Sequence, residues 1–586
     1  MRLVKLLLPL TLGLLQTWAP HASAQTDDAL RAIADRFWDA TMERHPTWAT
    51  ALGDYRFNDR LDDLSDAART KWDQTLRELL SELRRITPQS LSPDDRLTHT
   101  LLRRAMQDAR IRETIGLHWT PLNPLGGPHL EFPLILVSQP FRNAEDYRAY
   151  ASRLRAWPTQ VDDLISNMRR GIALGVVSPR VLIDKVIRQI RVHCVAEARL
   201  SEMYKPLERA AGLEGAERAA VTADIVDAIE TAVIPAYVRL LAFVEDDYAH
   251  RCRDTVGIGA IPHGRDIYAI LSRLSMTVAI DPEHVHDIGL AEVQRLRGEL
   301  AALRDDIGFD GTLDAFIAHM RSDPRFRADS PERLVQTYDA ILKRTTPLLP
   351  KLFGRLPNAR CEMKVIEPFR AAAAPVAYYN PPPEDGTRPG YFYVNTYKPE
   401  ERLLFTAEAL TYHEAVPGHH LQIALAQERT SLPKFRRYGD FTAYVEGWAL
   451  YAERLGYELG GYQDPVQRYG QLTFEMWRAC RLVVDTGLHV KGWSRQRAID
   501  YMSRNTSLAP LDIESEVDRY IGWPGQALAY KIGELRIRKI RQRAEAALGT
   551  AFDVRAFHDA LLGGGAMPID VLEQRMDAWI NAQGAK

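Results

Sequence analysis

The chain has 586 residues, a formal net charge of -2, 46% hydrophobic residues and 26% charged residues. That balance belongs to a globular protein able to bury a large core. Near-neutrality without a long Lys/Arg run argues against nucleic acid as a partner and against a polybasic membrane anchor. The length exceeds a typical single domain, so two packed lobes or one large helical domain with additions are expected.

At the start, Arg2 and Lys5 precede an apolar run from Leu6 to Leu15, and Ala22-Ser23-Ala24 follows. This is the pattern of a secretory leader, residues 1–24, cleaved after Ala24. The run is shorter than the ~20 residues that span a bilayer, and no cysteine stands at the cleavage point to accept lipid. No later apolar run is long enough to cross a membrane. The expectation is a soluble protein exported to a bacterial periplasm. Cys194, Cys252, Cys361 and Cys480 lack C-x-x-C spacing, so they do not form a cysteine zinc site, and the sequence leaves any disulfide pairing open.

Most of the chain then reads as helix. "SDAARTKWDQTLRELLSELRRI", "EDYRAYASRLRAWPTQVDDLISNMRRGIALG" and "DPEHVHDIGLAEVQRLRGELAALRDDIG" space apolar residues three and four apart, with charge on the other faces. Asp281-Pro282-Glu283 and Ser330-Pro331-Glu332 each supply a capping side chain, a first-turn proline and an acidic residue that suits the helix dipole. Between Arg360 and Tyr397 the period falls towards two. "CEMKVIE", "PVAYYN" and "GYFYVNTY" predict a small antiparallel sheet with Pro/Gly turns. Helix resumes near Pro399. A soft boundary near residue 355 separates a helical lobe, residues 25–355, from a second lobe, residues 356–586, and leaves open one continuous domain.

The chemistry concentrates in "YHEAVPGHHLQ", Tyr412 to Gln422. It approaches the H-e-x-x-H zinc pattern, but Pro417 stands where the second histidine belongs. In an unbroken helix His419 would lie about 9 Å along the axis from His413, and His420 about 10.5 Å. Neither could then share an ion with His413. Pro417 has no N–H for the His413 carbonyl and Gly418 tolerates unusual backbone angles, so the helix is expected to break and let a late histidine fold back. Glu414 fits a general base for a metal-activated water. A third ligand is expected from the next helix, "TAYVEGWALYAERLG", where Glu446 lies 33 residues after His413 and Glu453 is two turns further on the same face, placed to hydrogen-bond another site member.

Together with "YVEGWALYAE", "RPGYFYVNT", "RLVVDTGLHVKGWSRQRAIDYM" and "WPGQALAYKIGELRI", the H-E-A-x-P-G-H-H block resembles the domain of unknown function 885 family, itself similar to helical zinc metallopeptidases of the gluzincin type. The resemblance implies a mostly α, zincin-like metallopeptidase fold with the small sheet beside the metal helix. It implies His413, His419 and Glu446 as ligands of Zn2+ and Glu414 as base. It leaves the substrate open.

Other blocks take roles around that centre. "GYFYVNT" is read as an edge strand that pairs with an extended peptide. Asp485 and His489, four apart on one helix face, are read as a carboxylate orienting an imidazole towards a developing oxyanion. Tyr530 is a second oxyanion donor, and Arg478 and Arg481 are candidates to hold a substrate carboxylate. Each of these also has a plain structural use. The function expected is a zinc-dependent peptidase acting on short peptides. A hydrolase of non-peptide amides such as acylated amino acids, or a peptide-binding protein without turnover on the same fold, are the alternatives. Cobalt or manganese also suit such donors. Cleavage position, side-chain preference and oligomeric state are not legible.

Overall fold

The computed structural model describes residues 20–585 apart from 211, 368–370, 372–374, 385 and 387, with backbone alone for residues 20–27. The leader expected over residues 1–24 therefore lies outside the described residues up to residue 19, and residues 20–24 are described only as helical backbone.

The described residues are mostly helical, and the helices begin where the sequence supplies caps. Helix α1 (Asp66–Leu83) starts behind Ser65, whose hydroxyl accepts the Ala68 N–H. Helix α2 (Ala144–Leu174) starts behind Asn143, whose side chain accepts the Asp146 N–H, and α3 (Pro282–Ile307) behind Asp281, which accepts the Glu283 N–H. Such caps satisfy backbone donors that no carbonyl of the first turn reaches. Along α2 the buried residues Tyr147, Tyr150, Leu154, Trp157, Val161, Leu164 and Met168 repeat at three and four, forming one apolar stripe. That stripe belongs to a core built within residues 122–249, where Trp157 stacks on Phe132 with centroids 4.3 Å apart. A larger core joins Leu30, Trp72 and Tyr338 to Tyr412, Trp448 and Ile580, and so draws on both sides of residue 355.

The three predicted strands form, as β1 (Cys361–Val365), β2 (Ala377–Asn380) and β3 (Gly390–Val394), but in the order β1-β3-β2. β3 pairs antiparallel with β2 and parallel with β1, so the sheet is mixed rather than antiparallel. β3 is also central. Its backbone groups are taken on both sides, and the expected role of "GYFYVNT" as a peptide-docking edge strand is overturned. Alternation reports that a segment is a strand; it carries no information on which neighbour it chooses.

Beyond the sheet come α4 (Ala407–Glu414), α5 (His419–Gln427), α6 (Thr442–Glu458), α7 (Pro465–His489), α8 (Pro510–Gly522) and α9 (Leu528–Leu548). From Tyr469 to His489 nearly every residue of α7 is buried, and α7 packs along α3. A helix buried all round shows its polar side chains only to internal partners. Helices α6 and α9 cross at unusually close range. A Cβ on Gly447 would lie 2.5 Å from the Gly533 carbonyl carbon, and one on Gly533 would lie 1.9 Å from the Ala443 oxygen. The crossing sits one residue from Glu446, so two missing side chains set the depth of that carboxylate.

Gly533→Ala is expected to lower stability by about 1–3 kcal/mol, the usual cost of overpacking, because the obstacle is backbone and cannot rotate away. Urea unfolding of the two proteins checks this, and equal midpoints would mean that the helices separate freely.

Candidate metal centre

The break expected at Pro417 is present. Helix α4 ends at Glu414, Ala415 leaves helical angles with φ -100° and ψ -103°, and α5 begins at His419. Gly418 crosses directly over the end of α4. A Cβ there would lie 1.9 Å from the His413 oxygen and 2.3 Å from the Tyr412 oxygen, so no larger residue fits. Buried Trp448 of α6 closes the break from below: its Nε1–H donates to the Pro417 carbonyl at 3.0 Å and lies 3.3 Å from that of Gly418. The chain thus reverses within four residues and sets the rings of His413 and His419 4.8 Å apart at 86°.

Glu446 completes the group. Its Oε2 lies 3.4 Å from His413 Nε2 and 3.5 Å from His419 Nε2, and one ligand atom from each of the three residues falls within 4.8 Å of the others. A tetrahedral ion with bonds of about 2.0–2.2 Å holds its ligand atoms about 3.3–3.6 Å apart. Glu446 Oε2 and His419 Nδ1 are buried without a hydrogen-bond partner. A buried carboxylate oxygen facing two imidazole nitrogens without a hydrogen bond fits a site shaped for a cation.

A neighbouring carboxylate fixes one imidazole. Glu453, almost fully buried, accepts the His413 Nδ1–H at 2.8 Å, which turns Nε2 towards Glu446 as the nitrogen that would meet an ion once it has lost its proton. Burial opposes a charge on His413, but the Glu446 and Glu453 carboxylates overcome it and push its pKa up to about 9. Burial likewise works against charge on Glu446, and the two imidazoles nevertheless hold it well below the usual carboxylate range. Glu414 behaves oppositely. Half-buried beside the same groups, it is raised by burial, with His419 and His413 only partly compensating.

Not every candidate joins this group. His420 turns to the sheet, its Nδ1 2.9 Å from the Tyr379 hydroxyl and its Nε2 3.0 Å from the Ala359 carbonyl, and burial pushes it down to about 4. His489 is corrected to a structural residue: its Nδ1 accepts the Ile258 N–H at 3.0 Å and its Nε2–H donates to the Tyr520 carbonyl at 2.9 Å, so neither nitrogen is free. Asp485 does not orient it. That carboxylate accepts from the Tyr268 hydroxyl at 2.6 Å and the Gly525 N–H at 3.0 Å instead. Shared helix face brought the two residues to the same side, and different neighbours then claimed each. Tyr530 lies near the centre, where burial and then the Glu446 charge raise its phenol, and its oxygen accepts from Arg519 Nη2 at 3.1 Å. Asp440, which the sequence reading missed, is pushed up to about 6 by burial and by Glu446; a lone aspartate ahead of α6 carries no signal in sequence. All four cysteines are unpaired.

Fold and site define a mostly helical protein with a small mixed sheet and a converging His-His-Glu trio. The chain belongs to the family described as bacterial protein of unknown function (DUF885), whose model matches residues 46–576. It is similar to the crystal structure of a "putative lipoprotein" from Colwellia psychrerythraea, with 27% identity, TM-score 0.89, and coverage of 95% of this chain and 99% of that one. A "putative lipoprotein of unknown function" from Shewanella oneidensis shares the fold at 19% identity, TM-score 0.72, and coverage of 94% and 99%. No curated protein matches. Among the described residues no helix is long and apolar enough to cross a membrane.

Glu453→Gln keeps an acceptor for the His413 Nδ1–H but removes its charge. In the metal-free protein the His413 titration, followed by NMR, is expected to move down by about one pH unit or more; an unchanged midpoint would leave Glu446 as its only support.

Proposed function

We propose that the protein is an exported, zinc-dependent metallopeptidase that hydrolyses short peptides, on a fold similar to gluzincin-type enzymes. The observation that carries this is the convergence of His413 Nε2, His419 Nε2 and Glu446 Oε2 across a helix break that only Gly418 permits. His413, His419 and Glu446 would hold the ion, a donor set of two imidazoles and one carboxylate that suits catalytic zinc. Zinc bound there would polarise a carbonyl and acidify water.

Glu414 takes the proton of the attacking water on its carboxylate and returns it to the leaving nitrogen as the amide C–N bond breaks. The products are a carboxylate and an amine. Its raised pKa suits both halves of that transfer. Burial and the Glu446 charge keep the proton on Tyr530, and because its oxygen accepts from Arg519 that proton is free to be donated to the carbonyl oxygen as negative charge develops there. The burial of the site supports an extended peptide rather than a folded protein as substrate. Neighbours named as lipoproteins support a place in the cell envelope.

Two variants separate the jobs of the acids. Glu414→Gln should keep zinc and lose about 10²- to 10⁴-fold in turnover, whereas Glu446→Ala should lose zinc itself and recover partly in excess metal. Zinc per chain and hydrolysis of a mixed peptide pool are measured for both; normal turnover by Glu414→Gln would end the mechanism.

Binding an ion also requires the His413 proton to leave. Since that proton is held up to about pH 9, zinc affinity should climb with pH from about 7, approaching about tenfold per pH unit, and level off above 9. Competition against a chelator of known affinity reads this, and a pH-independent Kd would show that His413 is not the protonated ligand.

A further inference from the structure

Three arginines lie next to this centre, each with at least one buried donor that lacks a partner among the described residues, and Arg478 has two, where other buried arginines such as Arg436 leave one. Arg153, fully buried in the other core, shows what a structural arginine looks like: its Nε, Nη1 and Nη2 donate to the Arg60 carbonyl, the Gln139 side chain, the Pro46 and Phe57 carbonyls and the Thr50 hydroxyl. Lys531, also fully buried, meets Glu475 at 2.8 Å, Glu534 at 2.9 Å and Glu292 at 3.2 Å.

Arg478 has no such company. It is 4% exposed, and among the described residues its Nε and Nη1 have no hydrogen-bond partner and its one carboxylate within 4 Å is Glu453, 3.9 Å away and already accepting from His413. Its guanidinium lies over the Trp477 ring at 3.9 Å and near that of Phe474 at 4.7 Å. Aromatic contacts hold the plane of a guanidinium while leaving the N–H groups on its edge available.

The imbalance extends outward. Arg481, 2% exposed, uses Nη2 on Glu516 at 2.9 Å and Nε on the Tyr520 hydroxyl, but its Nη1 is orphaned. Arg519 contacts the same Glu516 and donates to Tyr530 and to the Gln526 side chain, and only its Nε is orphaned. Arg481 also covers the Tyr530 ring at 4.2 Å. Three guanidiniums thus share Glu516 and a distant, occupied Glu453. Buried donors without acceptors and a buried positive excess are both unfavourable unless a ligand supplies what is missing.

We propose that Arg478, Arg481 and Arg519, arranged around Tyr530, form a subsite for the C-terminal carboxylate of the substrate, which makes the enzyme a carboxy-terminal exopeptidase. This rests on the hydrolytic reading of the His413 centre. The subsite adjoins the reacting groups: Glu453 links Arg478 to His413, and Tyr530 stands three residues before Gly533, where α9 crosses α6 next to Glu446. A planar guanidinium edge matches a carboxylate with two parallel hydrogen bonds. Arg519 and Glu516, both partly exposed, mark the side from which this subsite is reached.

The test uses the full zinc-loaded chain and one short peptide made with a free C-terminal acid or an amide, each also N-acetylated. The acid is expected to be cleaved at least about 100-fold faster in kcat/KM, because an amide leaves the charged donors unpaired, while N-acetylation changes little. Arg478→Gln should shrink the acid-over-amide ratio in kcat/KM towards one, whatever happens to the rate common to both; Arg478→Lys should restore only part of that ratio. Equal cleavage of acid and amide, or a loss that follows N-acetylation instead, overturns the subsite and leaves the peptidase standing. Should Arg478→Gln not fold, the comparison of acid and amide on the unmodified protein decides by itself. If no peptide is cleaved, calorimetry of N-acetylated acid and amide dipeptides decides: preference for the acid keeps the subsite while the hydrolase reading falls, and no preference removes both.

Discussion

The site depends on one reversal of the chain, Ala415 to Gly418. Histidines six residues apart in a continuous helix point to different sides, and this pair meets because Pro417 cannot continue the helix and Gly418 passes so close to its end that a Cβ there would lie 1.9 Å from the His413 oxygen. A free backbone at such a break would need water. Trp448 replaces it, with its indole N–H on the Pro417 carbonyl. Trp448 is two residues from Glu446 on the same helix, and the Gly447–Gly533 crossing fixes that helix in depth. Thus the two histidines and the carboxylate are positioned by one small set of contacts.

Around this point the interior is polar to a degree that only pairing makes tolerable. Helix α7 carries Glu475, Arg478, Arg481, Asp485 and His489 on a body with almost no exposed face. Glu475 is matched by Lys531 at 2.8 Å, Arg295 at 2.5 Å and Arg454 at 2.7 Å, which holds α7 against α3, α6 and α9. Removing one member of such a group would strand the others, so it ties helices in register more than it adds net stability. The matched Glu475 and the incompletely paired Arg478 and Arg481, three and six residues further on, are therefore neighbours on α7, and beyond them His489 is again bonded through both ring nitrogens.

Helix positions and caps were legible in the sequence, because period and capping chemistry are local: Asp281 and Ser330 cap the helices they were expected to cap. Glu453 was legible for the same reason, being two turns from Glu446 on one helix. What was not legible is long-range. β1 runs parallel to β3 while β2 runs antiparallel to it, and no alternation encodes that choice. His420 and His419 were distinguishable only once Tyr379 was known to stand opposite. His489 was misread because a His with Asp four residues away looks the same whether they pair or are separately bound by Ile258, Tyr520 and Tyr268. Arg478 could be seen but not weighed, since the sequence does not show that its donors lack acceptors.

Three glutamates stand around the two histidines, and each has different surroundings. Glu446 faces both imidazoles and is held ionised well below the ordinary range despite burial. Glu453 is locked to the far nitrogen of His413, where its charge supports the imidazole rather than facing the cleft. Glu414 has no matching cation within bonding distance, so burial dominates and its proton is held more tightly than a free carboxylate would hold it. Glu446 and Glu414, pushed apart in this way, are suited to different tasks: a permanent anion suits a cation ligand and an acid of raised pKa suits carrying a proton between water and a leaving group, while Glu453 serves through its hydrogen bond by orienting His413. The division of labour proposed for the three follows from their surroundings, independently of any resemblance in sequence.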